Sequence, residues 1–161
     1  MSTEMKKPPG IILACVSLFV VLVLSVFLTQ SCRAQRYSSN GETIYYTGYN
    51  GQGEPIPSGG GPMWLYAHGG GCVECHGPGG RGGRPVMMLR TIPADIRYES
   101  LISGKYETSG EAETPYTDEL IVRAIRQGLD PDGEPIDPGM PRWQMADKDV
   151  RDVIEYLKVL K

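Results

Sequence analysis

Histidine is almost missing from this 161-residue chain, which contains only His68 and His76. Cysteine is scarce as well. Of four cysteines, Cys15 lies inside an apolar run and Cys32 just beyond it, which leaves Cys72 and Cys75. An iron–sulfur cluster wants four thiolates, which the chain after residue 36 does not have. A zinc site built on the pair would have to recruit from Cys15, Cys32 and His68, a poor set. Positive charge is also short. Residues 37–161 hold 12 Lys and Arg against 18 Asp and Glu, a net of −6. That argues against nucleic acid and against docking on anionic lipid, and leaves room for a partner with a basic face. Regular structure should be sparse too, because most of the 21 glycines and 13 prolines fall in this part. Its core therefore needs help from something other than side chains.

One long apolar run is present. Ile11 to Leu28 contains no charge, glycine or proline, and its 18 residues form a helix of roughly 27 Å, enough to cross a hydrocarbon core. Lys6 and Lys7 precede it and Arg33 and Arg36 follow, so flanking charge alone does not orient it. An uncleaved signal anchor is the favoured reading, since the run exceeds the usual signal-peptide core. A cleaved signal with Ala34 at the cut, and a lipoprotein signal ending at Cys32, are the alternatives.

The rest divides by composition. Residues 1–30 read as the anchor, 31–61 as a tether and Gly/Pro/Tyr-rich extension, and 62–161 as the folded domain. Gly41 to Gly48 has the β-branched and aromatic content of a short strand, followed by a turn at Tyr49-Asn50-Gly51. Helices are expected over Met63–His68, around Asp95–Ser103, from Thr117 to Gly128 and from Asp147 to Leu160. Thr117 fits an N-cap and Gly128 a C-terminal stop, while Asp147 fits the cap of the last helix. The tetrapeptide Gly53-Glu54-Pro55-Ile56 recurs as Gly133-Glu134-Pro135-Ile136, which reads as turn chemistry used twice.

The chemistry lies in Cys72-Val73-Glu74-Cys75-His76. Two thiols three apart on one helical turn can add across the two vinyl groups of a haem, and the next residue, His76, then sits beneath the iron. A thioredoxin-type pair would need a βαβ setting, which is absent. One covalent haem c is therefore expected on Cys72 and Cys75. Such attachment takes place on the outer side of the energised membrane, which gives the anchor its direction. The macrocycle also supplies the missing core. The expectation is a single-pass protein of a bacterial cytoplasmic membrane, with its haem domain on the periplasmic side.

An electron carrier keeps both axial positions of the iron filled. Met140 is favoured as the sixth ligand, because prolines flank it in Asp137-Pro138-Gly139-Met140-Pro141 and stiffen that loop. Met145 and the Met87/Met88 pair stay open. His68 and Met63 lie too close before the cysteines, and Met63 reads as core.

Taken together, Cys72-x-x-Cys75-His76-Gly77, Met140-Pro141 and a closing helix with Glu155-Tyr156-Leu157 resemble class I cytochrome c, over roughly Gly61 to Lys161. The resemblance implies a mostly α, cytochrome c-like fold around one haem, with the N-terminal transmembrane helix appended. It implies that the first and last helices cross with Tyr156 at the crossing, and that Trp143 lies near a haem propionate. Arg84, with Arg81 and Arg90, is a further candidate for the propionates. It also implies a backbone carbonyl accepting from the proximal histidine, for which Pro78 and Pro85 are the candidates.

The function so implied is single-electron transfer, by a non-enzymatic carrier with no small-molecule substrate. Membrane respiratory-complex subunits or other redox proteins are the expected partners, with the bilayer reached through the N-terminal helix. An anchored monohaem protein resembles the cytochrome subunit of a quinol-oxidising assembly such as alternative complex III. It equally resembles that of a terminal oxidase. A haem enzyme or gas sensor would need an open distal site, and no acid–base residue is placed to serve one.

Overall fold

The computed structural model describes residues 16, 18–21, 37–86, 92–107 and 112–161. Val16 and residues 18–21, within the apolar run, are helical and exposed. Most of the expected anchor lies outside the described residues, and so do Cys32, Met87, Met88 and Arg90. Among the described residues no helix is long and apolar enough to cross a membrane.

Tyr37–Lys161 forms one compact unit. Its elements run α1 (Asn40–Thr47), β1 (Ser58–Gly59), α2 (Met63–His68), α3 (Val73–His76), α4 (Tyr98–Ile102), α5 (Asp118–Gln127), β2 (Arg142–Trp143) and α6 (Asp147–Leu157). The expected division at residues 61/62 does not separate compact units, because residues 37–61 are packed into this one.

The stretch read as a strand is helix α1. Ser39 caps it by accepting from the Glu42 N–H, and the Glu42 carboxylate accepts in turn from the Ser38 N–H. Gly48 ends it in the left-handed conformation at φ 72°. The Ser39 cap satisfies one donor that the first turn leaves open, and with the Gly48 stop it outweighs the β-preference of Thr43, Ile44, Tyr45 and Tyr46. Ile44 and Tyr45 are buried to 1% and 0% exposure.

α1 packs on α6. At Gly41 the backbones are so close that a Cβ would lie 1.9 Å from the Asp152 carbonyl oxygen. Asn40 ties the two together through Asp149 and Asp152 at 2.9 and 2.6 Å. Tyr156 packs beside Tyr45 with ring centroids 5.2 Å apart and the rings tilted by 57°. Tyr156 thus lies where a first helix meets the last, and that first helix is α1, inside the expected extension.

α5 and α6 supply half of the remaining core: Ile121, Ala124 and Ile125 from one, Val150, Val153, Ile154 and Leu157 from the other. Each large aliphatic side chain so buried contributes about 1.5–3 kcal/mol. Thr117 caps α5 through the Leu120 N–H and Gly128 stops it, as the residues indicate. Asp147 does not cap α6. Ala146 holds the cap position, and Asp147 lies in the first turn, paired with Arg126 at 2.8 Å.

The recurring tetrapeptide builds the same turn twice. Gly53 N–H donates to Asn50 and Ile56 N–H to Gly48; Gly133 N–H donates to Asp130 and Ile136 N–H to Gly128. Each turn follows a helix whose C-terminal stop is a left-handed glycine. The chain leaving the first turn, as β1, pairs antiparallel with β2, Ser58 opposite Trp143 and Gly59 opposite Arg142.

Candidate functional site

Cys72 stands at the N-terminal cap of α3, with Cys75 and His76 in the single turn that follows. The His76 N–H donates to the Cys72 carbonyl at 2.9 Å and the Gly77 N–H to Val73 at 2.8 Å. That turn sets the two thiols three residues apart on one face. Neither is in a disulfide. Burial pushes the Cys72 thiol up to about 12, and burial with the nearby Glu74 carboxylate raises Cys75.

The helix is held in place from α1. Tyr45 donates its hydroxyl proton to the Gly77 carbonyl at 2.6 Å. Gly71 lies against the end of α1, where a Cβ would be 2.3 Å from the Tyr45 carbonyl oxygen. The tyrosine-rich stretch of Tyr45, Tyr46 and Tyr49 points to packing against its own domain or a partner subunit, and Tyr45 packs against its own domain.

His76 is 7% exposed, and its Nδ1 lies 2.8 Å from the Ala94 carbonyl oxygen. A carbonyl only accepts, so Nδ1 carries the proton and Nε2 keeps its lone pair. Burial holds the imidazole below its ordinary value, against the opposing effects of the Ala94 bond and the Asp95 carboxylate, so the ring is neutral. The carbonyl belongs to neither Pro78 nor Pro85, both of which are exposed. The glycine-rich loop turns back instead: Gly82 N–H donates to His76, Gly83 N–H to Pro93 and Ile96 N–H to Gly80. Those bonds bring residues 93–96 alongside the histidine.

Cys72, Cys75 and His76 line a cavity of about 430 Å³. Leu65, Leu101, Ile121, Ile125, Val153 and Leu157 form its apolar wall, and Met140 and Trp143 line it as well. The residues fit a covalently attached haem. Two thiols and a neutral imidazole share one turn, the wall is apolar, and a thioether reaches the same cavity.

The other expected residues are placed as follows. Met145 is buried but does not line the cavity; its carbonyl accepts from Arg126. Met63 is 78% exposed rather than core, since helix α2 buries Leu65 and turns Met63 outward. His68, Arg81 and Arg84 are exposed, and neither arginine lines the cavity. Instead, four carboxylates line it, Glu107, Glu113, Asp130 and Asp137, with no lysine or arginine among the described lining residues. Burial and the neighbouring Glu113 raise Glu107 above its ordinary value.

Arg142 was missed by the sequence reading. Its guanidinium donates to the carbonyls of Ile136 and Asp137 at 3.1 and 3.2 Å, and also to that of Met140. It therefore ties the two ends of the Met140 loop together. Within the loop, Gly139 N–H donates to the Asp137 carboxylate and Met140 N–H to the Asp137 carbonyl.

The model of the family described as cytochrome c matches residues 38–161, well over half of the chain. The match begins before α1 and so takes in the segment first read as an extension. No curated protein and no solved structure matches the chain. The chain belongs to the cytochrome c family: it is an electron-transfer protein that carries one covalently bound haem c.

Proposed function

We propose that this cytochrome c works as a closed, six-coordinate carrier of single electrons, with thioethers from Cys72 and Cys75 and with His76 and Met140 as axial ligands. It is fixed to the outer face of a bacterial cytoplasmic membrane by residues 1–30 and serves as a subunit of a quinol-oxidising respiratory complex. The observation that carries the reading is that His76 and Met140 line the same cavity as the two cysteines.

Bound haem supplies a one-electron iron couple. The chain supplies the rest. The Ala94 carbonyl orients His76 and fixes its tautomer, which leaves Nε2 as the donor. Arg142 and the flanking prolines hold the Met140 loop at little entropy cost. Apolar side chains from α5 and α6 exclude water, so the charge change meets little reorganisation. The carboxylates at the cavity and the net charge of −6 in residues 37–161 favour a partner that presents lysine and arginine.

Mild solubilisation of membranes and native purification through a tag on this chain test the assignment. A quinol-oxidising assembly carrying further haems should co-purify. Co-purification with a terminal oxidase would move the protein to that complex, and recovery as a soluble monomer would contradict the membrane anchor.

A further inference from the structure

The segment Pro57–Gly61 runs alongside the Met140 loop and is bonded to it at both ends. The Gly61 N–H donates to the Pro138 carbonyl at 3.0 Å, and the Gln144 N–H donates to the Pro57 carbonyl at 2.8 Å. Between those bonds β1 pairs with β2. Tyr66 of α2 donates to the Gly60 carbonyl and holds the segment from its other side. The fit is close. A Cβ on Gly61 would lie 2.8 Å from Pro141 Cγ and 3.5 Å from the Gly139 carbonyl oxygen. Pro141 is buried and follows Met140 directly, so a shift there is transmitted to the methionine.

We infer that residues 57–61 are a positioning brace for the Met140 loop, and that they set how firmly the sixth position of the iron stays closed. A methionine loop held only by its own turn and by Arg142 opens by local fraying. Two backbone bonds and a strand pair from a distant segment raise the free energy of that opening. The inference rests on the reading of Met140 as a ligand, and the experiment separates the two.

Imidazole is titrated against the ferric holoprotein, its binding read from the Soret band. Wild type is compared with Gly61→Ala, Gly53→Ala and Met140→Ala. Gly53 has φ 82°, matching the 81° of Gly61, but a Cβ there meets nothing within 4 Å. It therefore carries the same backbone strain without touching the loop. Gly61→Ala should bind imidazole about tenfold more tightly than wild type, equivalent to about 1.4 kcal/mol, while Gly53→Ala should not differ from wild type. Equal affinities for the two glycine variants would overturn the brace. If Met140→Ala binds imidazole no better than wild type, the ligand assignment fails first and the brace falls with it.

A second measurement keeps the inference testable should Gly61→Ala fail to take up haem. Coupling is reciprocal, so releasing the methionine must loosen the brace. Amide exchange at Gly61 and Gln144 should be slow in the wild-type holoprotein and at least about tenfold faster in Met140→Ala. Unchanged exchange at both amides would contradict it.

Discussion

His76 donates from Nδ1 to a carbonyl that has no proton to return, and the residue after that carbonyl, Asp95, makes the neighbouring ion pair. Asp95 accepts from the Arg97 guanidinium at 2.6–3.1 Å and from the Arg97 N–H at 3.0 Å. Burial pushes its carboxyl up, but the hydrogen bonds and charge of Arg97 hold it below the usual range. A depressed folded value means stability that is present above the unfolded pKa of about 3.9 and lost as pH falls through the lower folded one. Asp95→Asn should therefore cost about 1.5–3 kcal/mol at pH 7, the worth of hydrogen bonds to a charged group. Denaturant unfolding at pH 7 and near pH 2.5 checks this, since the two proteins should converge in acid. The sequence makes Cys72, Cys75 and His76 legible because their chemistry is local, contained in five residues. The acceptor at Ala94 is not legible. Any residue offers a carbonyl, and this one is brought close by loop bonds across 18 positions.

Among the elements, α5 could be read directly because cap, apolar face and stop all agree over Thr117–Gly128. α1 was misread because its eight residues give little periodicity, and its aromatic and β-branched content points to a strand. The corrective signal was Ser39-x-x-Glu42 followed by Gly48, a pair of caps that outranks composition in so short a segment. Its contact with α6 leads to a sharp expectation. In an ordinary helix Gly→Ala gains about 0.5–1 kcal/mol, whereas at Gly41 the new Cβ collides with the Asp152 carbonyl. Gly41→Ala should thus destabilise the holoprotein by about 1–3 kcal/mol, the usual cost of overpacking, with the loss seen in denaturant midpoint. A stabilised variant would mean that α1 and α6 are further apart than described.

For the molecule as a whole, composition speaks to the centre and to the boundary. The apolar residues of α5 and α6 line the cavity that Cys72, Cys75 and His76 also line. The boundary at residue 61 was misplaced. It followed a change in glycine and proline density, whereas packing follows contacts such as Tyr45 to Gly77 and Pro57 to Gln144 that have no local signature. Those contacts join residues 45 and 57 to segments far along the sequence within one unit. The account then stands on both axial positions being filled from within the chain. Mixing carbon monoxide with the reduced, haem-loaded protein tests this most directly. Wild type should show no change in its Soret band over seconds, while Met140→Ala should bind at once. Rapid binding by the wild-type protein would contradict the account, because an iron closed by Met140 leaves the gas no place to bind.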